Sequence, residues 1–147
     1  MRNRKLLASI TLAGAFSGSL GFSTAVFGHG DVTAQAVNTE GLSELSAEWE
    51  EFNPYREPYE KHALAVEVGA SAYNQNCARC HGLQAISGGI APDLRELEIG
   101  KFGDEWYKYR VINGAVRDGR VYMPKFDETL GQEALWAIRT YLESVSE

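Results

Sequence analysis

Cys77-Ala78-Arg79-Cys80-His81 is the stretch on which the reading of this 147-residue chain turns. Two thiols three residues apart, followed at once by an imidazole, form the attachment signature of covalent c-type haem. On one helical turn the side chains at i and i+3 share a face. Cys77 and Cys80 are thus expected to bond the two haem vinyl groups, with His81 drawn beneath the iron as axial ligand. The expected cofactor is one covalent haem c. Three other readings compete. A thioredoxin-like dithiol needs a βαβ setting, whereas the flanks here read as helix before and glycine-rich loop after. A zinc site needs further ligands at finger-like spacing, and neither His29 nor His62 stands at one. A disulfide across two intervening residues is strained and leaves the histidine unexplained.

A second axial ligand comes from methionine or histidine in a one-haem carrier, and methionine raises the reduction potential. The chain holds two methionines, Met1 and Met123. If the N-terminus is removed, Met123 is the remaining thioether, and Pro124 after it pushes it out of helix geometry into an extended loop. The competing roles are a gap-filling core methionine for Met123, or His62 or His29 as the sixth ligand, which would give a lower-potential bis-histidine haem.

Arg2, Arg4 and Lys5 precede an uncharged run of apolar and small residues to Phe27, the layout of a secretory signal peptide. Its glycines and serines make it a poor membrane span. Cleavage is expected after Gly28, or after Ala25 in Ser23-Thr24-Ala25; an uncleaved anchor is the alternative. The expected location is the periplasm, with no stable membrane insertion after cleavage. Losing residues 1–28 removes three basic residues and no acidic one, so the formal charge falls from −6 to −9. Such an acidic chain does not suit nucleic acid or an anionic membrane surface.

The remainder divides into an acidic arm, residues 29–59, and a haem domain, residues 60–147. In the arm Pro54 and Pro58 break any helix twice, although Leu45, Trp49 and Phe52 would give Ser43–Phe52 the apolar edge of a short one. The arm serves either as a covering strap or as a docking surface. The haem domain reads as a small all-α fold of about three to five helices around one haem. One helix is expected from Tyr59 to Asn76, and another is capped by Asp104 and stopped by Gly114. A last helix spans Gln132 to Ser144, with Gly131 as its N-cap.

Gly69-x-x-x-Tyr73, the haem motif, Gly89-Ile90-Ala91-Pro92-Asp93-Leu94, Met123-Pro124 and Ile138-x-x-Tyr141-Leu142 together resemble the soluble single-haem cytochromes c over nearly all of residues 60–147. In that family the terminal helices cross at glycine and aromatic positions, which Gly69, Tyr73, Ile138 and Tyr141 would supply. His29-Gly30-Asp31-Val32, Glu48-Trp49, Asn53-Pro54-Tyr55-Arg56, Tyr73 to Gly82 and Asn113 to Pro124 are similar to the periplasmic cytochromes c that accept electrons from pyrroloquinoline-quinone ethanol dehydrogenases. The resemblance implies an electron carrier and not an enzyme. It implies a quinoprotein alcohol dehydrogenase as donor, and a cytochrome or terminal oxidase as acceptor. It also implies that the Pro92 carbonyl accepts a hydrogen bond from the axial histidine, where a simple turn proline is the plainer role. Trp106, Tyr109, Arg120 and Tyr122 can donate to the haem propionates, since buried carboxylates need donors or cations; core packing or surface exposure is the competing role for each. Two other functions stay open: a general-purpose donor to oxidases or reductases, and a haem enzyme with an open sixth site.

Overall fold

The computed structural model describes residues 33–147; the expected signal peptide, both of its cleavage sites and His29 lie outside them. A non-helical arm leads into helix α1, His62–Asn76, and the short helix α2, Ala78–His81. After a long loop come α3, Lys101–Asn113, the strands β1, Ala115–Arg117, and β2, Arg120–Met123, and finally α4, Gln132–Ser144. None of the helices is long and apolar enough to cross a membrane among the described residues.

The small helical fold is as expected, with one addition. β1 and β2 form an antiparallel hairpin in which Val116 faces Val121 and Arg117 faces Arg120. Its turn residues Asp118 and Gly119 both take positive φ, 49° and 73°, the backbone that two-residue hairpin turns need and that Asp-Gly supplies.

α1 and α4 cross where Gly69 meets Ala137. A Cβ at Gly69 would lie 1.9 Å from the Ala137 carbonyl oxygen and 2.9 Å from Tyr141 Cβ, so only glycine lets the backbones approach this closely. One turn on, the rings of Tyr73 and Tyr141 pack 5.3 Å apart. Leu135, Trp136, Ile138 and Leu142 of α4 are almost wholly buried, each worth about 1.5–3 kcal/mol of apolar burial. The crossing holds the end of α1, and hence Cys77, against the core.

Two boundaries differ from expectation. α1 starts at His62 rather than Tyr59. α3 starts at Lys101, and Asp104 is not its cap: it lies inside the first turn, fully buried. It is drawn in because it is the counter-ion of two guanidiniums, Arg139 Nε at 2.8 Å and Arg56 Nη2 at 2.8 Å. The ends at Gly114 and Gly131 fall where expected.

The expected short helix at Ser43–Phe52 is absent. Its backbone groups are taken by side chains of α4 instead: Leu45 N–H donates to Glu133 Oε1 (2.9 Å) and Glu50 N–H to Gln132 Oε1 (2.5 Å), while Gln132 Nε2 donates to the carbonyls of Ser46 and Glu48. Trp49 packs edge-on against Trp136, with centroids 6.1 Å apart. Further along, Asn53 N–H donates to Asp104 Oδ2, Tyr55 is wholly buried and Arg56 Nε donates to Glu143 Oε2 (2.9 Å). The arm is thus fastened to α3 and α4.

Candidate haem-binding site

The motif forms one turn continuous with α1. Cys77 N–H donates to the Tyr73 carbonyl (2.8 Å), and Cys80 and His81 both donate to the Cys77 carbonyl (3.1 and 3.0 Å). Both cysteines are free thiols and half-buried, which removes the disulfide reading. Burial, and after it the neighbouring Cys80, pushes the Cys77 thiol up to about 12. So apolar a setting disfavours a thiolate and suits an uncharged thioether. The zinc reading finds no support either: among the described residues no group of three or more His, Cys, Asp or Glu side chains is placed to hold a metal.

His81 Nδ1 stands 2.9 Å from the Pro92 carbonyl oxygen. A carbonyl only accepts, so Nδ1 carries the proton and Nε2 is left with a lone pair for a metal. The chain reaches Pro92 by a tight reversal. Gly82, at φ +83°, has no room for a Cβ, which would lie 1.8 Å from the Ile86 carbonyl oxygen. Tyr73 Oη donates to the Gly82 carbonyl (2.8 Å), and Ser87 N–H donates to Asp93 Oδ2 (3.1 Å) to close the loop.

Met123 ends β2, just before Pro124, and packs half-buried against the core. Gly114 positions this strand. It combines φ 63° with ψ −154°, and a Cβ there would lie 2.4 Å from the Met123 carbonyl oxygen. Alternation along the hairpin sorts its side chains. Val116 and Val121 share one face and Arg117 and Arg120 the other, where the Arg117 guanidinium sits 5.6 Å from the Tyr122 ring centre; a register shift between Ala115 and Val116 then sets Met123 opposite Ala115. His62 opens α1 while Cys77 follows its last residue, a separation of about 22 Å along the helix. That leaves Met123 in the stronger position for the sixth site.

The four candidate propionate donors come from two elements. Trp106 and Tyr109 stack on α3, half exposed, with ring centres 6.1 Å apart. Arg120 and Tyr122 stand on β2, both exposed. The cation that does join Trp106 and Tyr109 is Arg110, whose guanidinium lies 4.3 Å and 5.5 Å from the two ring centres. Sequence reading placed it only in the body of the helix; its i, i+4 spacing from Trp106 was the available signal.

The residues fit a haem. The donor set supplies two unpaired thiols, one imidazole with a fixed ring and one thioether. Leu83, Ile90, Phe102 and Trp106 are each more than half exposed, apolar surface of the kind a flat macrocycle covers.

Comparison with known proteins agrees. The family model described as cytochrome c oxidase, cbb3-type, subunit III matches residues 64–142. Cytochrome c550 of Pseudomonas aeruginosa is 65% identical over 98% of this chain and 96% of its own length. A quinohemoprotein alcohol dehydrogenase, ADH-IIG of Pseudomonas putida, is 37% identical over 53% of this chain, a match that covers 10% of the dehydrogenase. The cbb3-type cytochrome c oxidase subunit FixP of Rhizobium meliloti is 32% identical over 78% of this chain and 40% of its own length. No solved structure matches.

Proposed function

The chain belongs to the cytochrome c family, and from that premise we propose a periplasmic carrier that takes electrons from a pyrroloquinoline-quinone alcohol dehydrogenase and passes them toward a terminal oxidase. It is an electron-transfer protein and not an enzyme, and its cofactor is covalently bound haem c. Haem c supplies a one-electron ferric/ferrous couple.

The residues have distinct tasks. Cys77 and Cys80 anchor the macrocycle through thioether bonds, and His81 and Met123 take the two axial sites. Pro92 fixes the His81 ring and makes it more basic. Trp106, Tyr109, Arg120 and Tyr122, with Arg110, offer donors and cations to the haem carboxylates. Residues 1–28 form the signal peptide, 29–59 the arm and 60–147 the haem domain. The observation that carries this reading is the His81–Pro92 hydrogen bond in the same turn as two free thiols. With Met123 on the sixth site no coordination position is left for a substrate, which favours carriage over haem catalysis.

The donor assignment draws on the sequence likeness of the arm and the haem motif, and on the match to a dehydrogenase. The likeness to an oxidase subunit over 78% of the chain supports an oxidase as acceptor. Mixing the ferric protein with a substrate-reduced quinoprotein alcohol dehydrogenase in a stopped-flow instrument tests the reading: two carriers should be reduced per alcohol oxidised. No reduction would remove this donor and leave a general-purpose carrier. N-terminal sequencing of exported protein should begin at His29 or Val26; a start at Met1 would refute the signal peptide.

A further inference from the structure

No backbone-to-backbone hydrogen bond holds the segment from Ser87 to Asp93 among the described residues. Gly88 and Gly89 stand in open space, where an added Cβ would meet nothing within 4 Å beyond its chain neighbours. Yet this segment presents the Pro92 carbonyl oxygen at 2.9 Å from His81 Nδ1. What fixes it is side-chain bonding that converges on Asp93. Ser87 N–H donates to Asp93 Oδ2, and Ser87 Oγ donates to the Ala91 carbonyl. The Arg95 guanidinium grips both carboxylate oxygens, Nε on Oδ1 (3.0 Å) and Nη2 on Oδ2 (2.9 Å).

This clasp differs from an ordinary surface ion pair. Lys101 and Glu105, 3.9 Å apart, have side chains 59% and 47% exposed, and such a pair is worth little. The Arg95 and Asp93 side chains are 20% and 18% exposed, and their two-pronged contact gives direction as well as strength. Arg95 is also anchored from behind. Its Nη1 pairs with Glu147, and its carbonyl accepts from Ser146 Oγ (2.9 Å) and from the Glu147 N–H (3.3 Å). The residue next to Pro92 is thus held by Ser87 on one side and by the stretch after α4 on the other.

We propose that Arg95 is a positioning residue for the axial histidine, acting through Asp93 to hold the Pro92 carbonyl against His81 Nδ1 and thereby to set the reduction potential. The inference rests on the carrier reading above, in which His81 ligates the iron, and adds a residue that tunes it. A hydrogen bond from Nδ1 makes the imidazole a stronger electron donor to iron, and a stronger donor favours the ferric state. Slackening that bond should therefore raise the potential. Charge acts separately: removing a cation favours ferric iron, and removing an anion favours ferrous iron. The informative substitutions are those that leave the net charge alone.

The test uses the haem-loaded protein and two such variants. Arg95→Lys keeps the charge but loses the fork, and Asp93→Asn/Arg95→Gln removes one charge of each sign. Both should raise the midpoint potential, the double variant more. By proton NMR, the His81 Nδ1 proton of the double variant should exchange with solvent about tenfold faster, the effect of losing roughly one hydrogen bond's worth of local stability. The sulfur-to-iron band should not move, which places the change on the histidine side of the iron. A lower thermal midpoint with potential and exchange rate unchanged would overturn the proposal and leave the clasp a purely structural one. Loss of the sulfur-to-iron band would also overturn it, because the shift would then come from Met123. Where the double variant does not fold, Arg95→Lys decides alone, and an unmoved potential in it overturns the proposal. His81 ring protons without the hyperfine shifts of an iron ligand in the wild type would end the axial assignment and the proposal together; shifted protons in the wild type with unmoved variants would sink the proposal and leave the carrier reading standing.

Discussion

His81 Nδ1 lies 2.9 Å from the Pro92 carbonyl oxygen, and the loop that presents this carbonyl is fastened by the next residue, Asp93. Its Oδ1 accepts from the backbone N–H and Nε of Arg95, both at 3.0 Å, and its Oδ2 accepts from Arg95 Nη2 (2.9 Å) and Ser87 N–H (3.1 Å). Arg95 is tied in turn to the C-terminus through Glu147 and Ser146. The ring of the proposed axial ligand is therefore oriented by a chain of contacts that reaches the last residues of the protein.

The Arg95 guanidinium beside Asp93 holds its carboxyl well below the usual carboxylate range. A group whose folded pKa is depressed stabilises the fold above its unfolded pKa, about 3.9 for Asp. That contribution fades as pH falls through the folded value. Asp93→Asn should thus lower the urea midpoint at pH 7, and the gap from wild type should narrow steadily below about pH 4. A gap independent of pH would mean that the charge of Asp93 is not what holds the loop.

Gly114 and Met123 make a second linked pair. Met123→Ala should abolish the sulfur-to-iron absorption band of the ferric protein, and Met123→His should keep a low-spin haem with a lower potential. Gly114→Ala places a methyl group 2.4 Å from the Met123 carbonyl oxygen, at a backbone conformation that L side chains rarely adopt. It should cost about 1–3 kcal/mol and weaken the same band without touching the ligand.

Attachment is checked by extraction. Haem should stay with denatured wild-type protein in acidified acetone, because thioether bonds do not depend on the fold. The double variant Cys77→Ala/Cys80→Ala should release all of it.

At the crossing of α1 and α4, Gly69→Val should destabilise the protein by about 1–3 kcal/mol through overpacking. The Cβ alone would sit 1.9 Å from the Ala137 carbonyl oxygen. Thermal unfolding of the haem-loaded protein measures the loss.

Arg139 and Asp104 are both wholly buried and paired at 2.8 Å. Removing one partner of such a pair costs about 3–5 kcal/mol when the other charge is left uncompensated. Asp104 keeps Arg56 at 2.8 Å, so Arg139→Met should fall toward the lower end of that range, and adding Asp104→Asn should cost less than it does in the wild type. Additive losses in the double variant would show that the two residues do not act together.

The local features of this protein were legible in its residues. The haem motif is one helical turn, so spacing alone placed two sulfurs and an imidazole together. Pro124 set Met123 in extended chain, and Gly114 and Gly131 bounded their helices because glycine conformations are decided by neighbours in sequence. The hairpin was also within reach through Asp118-Gly119, which the emphasis on helical periodicity passed over.

What the sequence determined by itself is therefore what depends on contacts within a turn: the cofactor, its anchoring residues, the candidate axial pair and the terminal helices. Only the tertiary structure decided the fate of Asp104, which has the chemistry of a helix cap but is buried by guanidiniums 48 and 35 residues away. The same holds for Ser43–Phe52, whose helical pattern lost to hydrogen bonds that its backbone N–H groups donate to Gln132 and Glu133, more than 80 residues further on. Strand pairing likewise set Arg117 opposite Arg120 and Met123 opposite Ala115. Each outcome depends on partners distant along the chain, and a local preference of a kcal/mol or so yields to a buried ion pair or a row of backbone hydrogen bonds.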